Sequence, residues 1–143
     1  MNISRIIIIV VVFMTTIATA QEKIIGEWKT IDDATGEAKS IVEIYKQGNQ
    51  YFGKIKRILK ESDRDKTCIK CEGSDYGKPI EGLVIIKNLS KDGNEYEDGT
   101  ILDPENGKIY TSKIWVDEDN QDVLNVRGYI AFFYRTQNWI RVK

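Results

Sequence analysis

Short apolar stretches alternate with turn-forming residues along almost the whole of residues 21–143, and that rhythm is what most constrains the fold. It is the pattern of antiparallel strands joined by tight turns. Gly26-Glu27-Trp28-Lys29-Thr30 reads as a first strand, ended by Asp32-Asp33-Ala34-Thr35-Gly36. Ser40 to Lys46 is a second, and Gln47-Gly48-Asn49 turns the chain into Gln50 to Ile58. Asp98-Gly99, Asn106-Gly107 and Asp119-Asn120 each lie between strand-like runs, and such pairs tolerate the positive φ that hairpin turns require. Alternation is clearest in Val123 to Ile130, where Leu124, Val126, Gly128 and Ile130 share one face. Within Ile109 to Val116, Tyr110, Ile114 and Val116 share a side. Two stretches are ambiguous. Lys54 to Lys66 suits a strand or a charged helix, and Pro79 to Leu89 spaces Leu83, Ile86 and Leu89 as a short helix would. The expected fold is all-β, an antiparallel up-and-down barrel of about eight strands with room for one short helix, because closure removes exposed edges.

The first twenty residues have a different character. Arg5 gives a positive start, Ile6 to Ile17 is nearly unbroken apolar sequence, and Ala18-Thr19-Ala20 closes it with small residues. This is the layout of a secretory signal peptide with an A-x-A cleavage site, so residues 1–20 are expected to be removed and the mature chain to begin at Gln21. The apolar stretch falls short of the roughly 20 residues that a membrane span needs, so no span is expected after the cut. The protein is expected to be exported, into a periplasm or out of the cell. The remaining 123 of the 143 residues suit a single domain, 21–143.

Charge is dense but balanced. With Arg5 removed, 20 basic residues face 22 acidic ones, which leaves no basic stripe for nucleic acid. Histidine is absent, and with it the usual general base, nucleophile partner and transition-metal ligand. No phosphate-cradling loop, dinucleotide fingerprint or G-x-S-x-G elbow occurs. Glu43, Glu95 and Glu97 are spaced as solvated strand positions rather than as a paired acid and base. Asp103-Pro104-Glu105-Asn106-Gly107 looks acidic, but its spacing is that of a tight turn and not of a calcium loop. No catalytic residue, metal or cofactor is expected.

Three features carry binding or structural potential. Cys68-Ile69-Lys70-Cys71 is the one cysteine pair, and in an oxidising compartment a local disulfide is the default, with a redox-active pair as the alternative. Gly26-x-Trp28 matches the first strand of lipocalin-like barrels, where a late basic residue packs over the tryptophan ring. Arg127 and Arg141 both qualify for that place. Tyr110, Trp115, Tyr129, Phe132, Phe133, Tyr134 and Trp139 crowd the last third, more as core filling than as the lining of a ligand cavity. From these features Trp28, Tyr110, Trp115, Arg127, Trp139 and Arg141 are the candidate ligand contacts.

Several patches together resemble domain-of-unknown-function family 2147, a group of small exported bacterial proteins. They are Gly26 to Thr30 with Thr35-Gly36-Glu37, Tyr51 to Ile55, Pro79 to Leu83, Gly99 to Tyr110, Leu124 to Tyr129 and Arg135 to Arg141. The resemblance implies a calycin-type barrel in the periplasm or outside the cell and supplies no catalytic residues. It also implies a cysteine pair ahead of the Pro-x-x-Gly-Leu patch, a place that Cys68 and Cys71 fill. The expected function is a non-enzymatic binding module for a small apolar or amphipathic ligand, or for an envelope component. The alternatives are a structural or interaction protein of the envelope and, behind it, a CxxC thiol oxidoreductase.

Overall fold

The computed structural model describes residues 21–143 together with Thr15; the rest of the predicted leader lies outside the described residues. Eight strands run in chain order: β1 (Gly26–Ile31), β2 (Ala38–Gln47), β3 (Gln50–Ile58), β4 (Val84–Asp92), β5 (Glu95–Asp103), β6 (Lys108–Val116), β7 (Val123–Ile130) and β8 (Phe133–Arg141). Each pairs antiparallel with the next, and β8 returns to β1, so the sheet closes into an up-and-down barrel. Closure is brief: Trp28 pairs with Arg141 and Lys29 with Ile140. No helix among the described residues is long and apolar enough to cross a membrane.

Alternation sends one set of side chains into the barrel. Trp28, Val42, Ile44, Tyr51, Ile86, Leu89, Ile114 and Leu124 are all essentially inaccessible to solvent. Burying each such side chain contributes roughly 1.5–3 kcal/mol. Gly53 faces inward too, because a Cβ there would press to 3.0–3.2 Å of Ile44 and Ile86.

The stretch expected to be helical between Pro79 and Leu89 is instead the entry to β4. Asn88 has φ 60 and forms a bulge, and the register slips between Gly53 and Tyr51 on the neighbouring strand. A bulge adds one residue to the strand, so Ile86 and Leu89, three apart, both point inward. The helical spacing was the mark of a bulged strand. Asp98-Gly99, expected as a turn, lies inside β5 at a second bulge, where Asp98 has φ 62. Lys54 to Lys66 is strand as far as Ile58 and then a single 3-10 turn at Glu61–Asp63; a second such turn, Gly73–Asp75, follows. These two turns are the only helical elements among the described residues.

The 59–83 connection between β3 and β4 is a folded excursion. Thr67 bridges Pro79, and amide hydrogen bonds from Cys68 to Lys78 and from Ile80 to Lys66 extend that pairing. The excursion lies along the outer side of β4 and β5. Lys87 donates to Asp75 at 3.3 Å, and the Lys70 carbonyl presses on Gly107, which sits at φ 73. This cover explains why Ile85 and Leu102, which alternate outward, are nonetheless buried.

Gly99 is the tightest inward position. A Cβ there would stand 2.3 Å from the Lys87 carbonyl oxygen and 2.8 Å from the Leu89 amide nitrogen, both backbone atoms that cannot swing aside. Gly99→Ala should therefore open the β4–β5 ladder and cost about 2 kcal/mol or more. Gly36→Ala, at φ 73 with nothing within 4 Å, should cost only about 1 kcal/mol of backbone strain. Urea denaturation of both variants checks the order, and equal losses would contradict the packing argument.

Candidate functional site

The barrel has two unlike ends. At the end where β1 begins and β8 finishes, residues Glu22 to Ile25 cross the opening. Trp28 Nε1 donates to the Ile24 carbonyl at 2.9 Å, and Tyr51 donates its phenol hydrogen to Glu22, which also receives Lys91 at 3.2 Å. Burial, helped by Glu22, pushes the Tyr51 phenol well above its ordinary range, so it stays a donor at any physiological pH. The Arg141 guanidinium lies over the Trp28 ring at 4.1 Å and donates from Nη2 to the Lys23 carbonyl at 2.7 Å and the Gln121 carbonyl at 3.1 Å. Of the two candidate arginines, Arg141 is the one that covers Trp28. Trp139, 2% exposed, fills the core nearby and donates to Gln137. This end is a plug of packed side chains.

Toward the opposite end, the mouth, the inner wall becomes smaller and more polar. Thr30 and Ser40 share a 2.8 Å hydrogen bond, and Tyr110 is half-buried, its hydroxyl receiving Asn106 at 3.2 Å. The register aligns Gly99, Ser112 and Gly128 across β5, β6 and β7. Ser112 is 1% exposed, and its hydroxyl has no hydrogen-bond partner among the described residues. A buried hydroxyl left unpaired costs about 1–3 kcal/mol, so this row marks a polar step in the wall.

The mouth carries charge straps. Lys39 at the start of β2 reaches Glu105 in the β5–β6 turn at 2.6 Å and Asp32 at 3.0 Å. Arg135 donates to Asp33 at 2.7 Å. The Lys39 ammonium, with the Thr35 amide behind it, pulls the Asp32 carboxyl down to about 2. Lys39 in turn is held above its ordinary range, by Glu105 first and Asp32 second. The Cys68–Cys71 disulfide, with Cα atoms 5.3 Å apart, is buried in the excursion beside Pro104. It ties a short local loop, worth about 2 kcal/mol in the chain-entropy model.

Trp115 and Arg127, by contrast, stand on the outer wall. Arg127 lies 4.9 Å from the Trp115 ring and 4.2 Å from that of Tyr134, with Tyr129 at 6.0 Å, and its Nε donates to Thr136 at 2.8 Å. The six candidate contacts therefore fall in three places: Trp28, Trp139 and Arg141 in the plug, Tyr110 below the mouth, Trp115 and Arg127 outside. They do not make one pocket. Two shallow concavities, of about 300 and 270 Å³, open on the outer wall near Tyr45 and Phe52 and near Glu97 and Tyr129. The crowd of aromatics in the last third is split in the same way. Trp139 alone fills core fully, whereas Phe132 is 98% and Phe133 78% exposed at the β7–β8 turn.

The family described as "Uncharacterized protein conserved in bacteria (DUF2147)" matches residues 26–141. The chain belongs to this family. Among solved structures, the barrel is similar to protein HP1028 from the human pathogen Helicobacter pylori, described as belonging to the lipocalin family. The TM-score is 0.71 at 15% identity, over 84% of this chain and 83% of that one, a likeness of fold. No curated protein matches the sequence. The lipocalin-like barrel expected of the family 2147 chain is thus the one observed.

The Asp32 strap gives a pH dependence of known sign. Its carboxyl is depressed when folded, so the stability it adds is present above about pH 3.8 and lost as pH falls toward 2. Asp32→Asn should lower stability at neutral pH, leave it nearly unchanged at pH 2, and so flatten the acid limb of a stability–pH curve between pH 4 and 2. An unaltered acid limb, measured by urea midpoints, would contradict the strap. At the plug, Arg141→Met keeps an unbranched apolar stem but loses the charge over Trp28 and the donors to two carbonyls. It should cost about 2–4 kcal/mol, whereas Arg127→Met should cost less than 1. Thermal unfolding distinguishes them.

Proposed function

We propose that this protein is exported by its leader and acts as a non-enzymatic binding module of the cell envelope, taking an apolar or amphipathic partner at the mouth. One observation carries this reading. Ile130, Phe132, Phe133 and Tyr134, all more than half exposed, form the tip of the β7–β8 hairpin at the mouth, with exposed Ile109 at the start of neighbouring β6, while the other end is plugged. Contiguous exposed apolar surface on a small protein marks an interaction site, and the mouths of β-barrels are common ligand sites. Ile130 and Phe133 pair across the hairpin on the inward-facing register, so they border the opening itself. Below them the Thr30–Ser40 pair and the unpartnered Ser112 hydroxyl supply polar groups, which suits a molecule with both characters. The packed plug limits such a ligand to the mouth half. The Cys68–Cys71 bond is buried, which works against thiol exchange.

The test is native mass spectrometry of protein exported through its own leader and purified without refolding. A co-purifying mass should be released on denaturation and be lost in the Ile130→Ser/Phe133→Ser variant. A wild-type protein that carries nothing, and that binds no monomeric single-chain amphiphile such as dodecylphosphocholine, would overturn the reading.

A further inference from the structure

The β7–β8 hairpin has a layered chemistry that a soluble ligand does not require. Its turn is two residues, Ala131 and Phe132, held tight by Ala131 at φ 51 and by the Ile130–Phe133 pair. The apolar tip is therefore presented on a rigid ladder rather than on a floppy loop. Directly behind it on the outer face lie Tyr134 and Tyr129, then the Arg127 guanidinium, which stands between their rings and that of Trp115 on its far side. Arg127 has no carboxylate partner among the described residues, since its Nε bond goes to the Thr136 hydroxyl. From Val123 to Lys143 the sequence holds three arginines and a lysine and not one Asp or Glu.

From tip to base the order is aliphatic and phenyl, then the Tyr129–Tyr134 pair, then guanidinium, with Trp115 one rung beyond it beside Asn125. Across a membrane surface the same order runs from acyl chain through interface to phosphate. The spacing agrees as well. Ile130 is three residue steps along the strand from Arg127, roughly 10 Å at about 3.3 Å per residue. That is the depth to which an interfacial segment buries its apolar face. A guanidinium backed by aromatic rings keeps its outer N–H groups free for a phosphate oxygen.

We infer that the β7–β8 tip docks on an anionic lipid bilayer, with Phe132 and Phe133 entering the headgroup–acyl boundary and Arg127 on the phosphates. This inference rests on the mouth being a binding end and names the surface that it meets. Because Arg135 is paired with Asp33 and Arg141 belongs to the plug, Arg127 is the cation the strand pair has free for a headgroup. The rest of the molecule stays in water. The outer walls carry ion pairs, Lys54–Glu43 on another strand pair and Lys113–Glu95 beside Arg127 on its own rung, and these would not enter hydrocarbon.

The decisive experiment is co-sedimentation with vesicles of phosphatidylcholine and of phosphatidylcholine with phosphatidylglycerol, using full-length mature protein. Wild type should partition onto the anionic vesicles, and Phe132→Ser/Phe133→Ser should reduce that partitioning at least roughly tenfold. Arg127→Gln should remove the preference for phosphatidylglycerol. The serine positions are exposed, so circular dichroism and an intact disulfide should show both variants folded. The inference is overturned if wild type ignores both vesicles, if binding is indifferent to phosphatidylglycerol, or if the serine variant binds equally. It is also overturned if light scattering shows a dimer that the serine variant abolishes, since the tip would then meet a second copy. Monomeric dodecylphosphocholine separates the two levels: binding to it without binding to vesicles leaves the mouth as a ligand site and removes the membrane. Loss of both removes the proposed function with it.

Discussion

The barrel depends on a short seam. A sheet of eight strands closes only if the last can find the first, and here β8 meets β1 through the pairs Trp28–Arg141 and Lys29–Ile140. So few ladder bonds would fray easily by themselves, because edge pairing gains little until side chains cover it. Arg141 provides the cover. It shields the Trp28 ring, satisfies the Lys23 and Gln121 carbonyls, and stands beside Asp122, where Lys143 also anchors. One side chain thus joins the seam, the segment before β1 and the β6–β7 loop. The Val142 amide, bonded to the Glu27 carbonyl at 2.9 Å, extends the seam by a further rung. The predicted cut after Ala20 spares every one of these contacts, since the plug begins at Glu22.

The order of strands was readable because most turns declare themselves chemically. Gly48, Gly93 and Gly107 all take positive φ between paired strands, as their Asn and Asp neighbours suggest. Bulges defeat the same rules. Asn88 and Asp98 also have positive φ, but within strands, so an Asp-Gly pair that signals a hairpin elsewhere is here a kink in continuous sheet. The inward period changes by one residue at each bulge, and three-residue spacing then passes for a helix. The β7–β8 turn failed in the opposite sense. Ala131 and Phe132 have no turn propensity, and the tertiary ladder on both sides forces Ala131 to φ 51. A non-glycine residue in that region is strained, and such strain persists where the surrounding structure over-determines it.

The site was only half legible. G-x-W predicted a tryptophan covered by a late arginine, and alternation alone could have chosen between the two. Arg141 shares a face with core Trp139, two residues away, whereas Arg127 alternates with the inward Val126 and Gly128. What sequence could not give was the fate of the aromatics. Tyr129, Tyr134 and Trp115 look like core by composition, and only the register, which aligns Tyr129 with Tyr134 and Trp115 with the outward Asn125, puts them outside. One available signal was passed over: the absence of carboxylates after Asp122.

Closure also decides what the exposed tip means. In an open sheet, a hydrophobic hairpin near unpaired backbone would be one sticky feature among several, and edge-to-edge association could account for any binding it showed. A closed barrel has no edge to offer. Its walls carry ion pairs and its base is plugged, so the tip is left as the concentrated apolar surface among the described residues. Phe132 and Phe133 cannot be retained for packing, because they touch little of the fold, and their exposure works against solubility. Their stability value is near zero and their cost in water is real. The balance favours keeping them only if the tip spends part of its time covered, and the covering partner must accept phenyl groups at one depth and a guanidinium about 10 Å behind. A variant that weakens the seam, such as Arg141→Met, would blur this distinction by exposing β1 and β8. The chemistry of the tip is therefore best tested on an intact seam, where any association it supports has one origin.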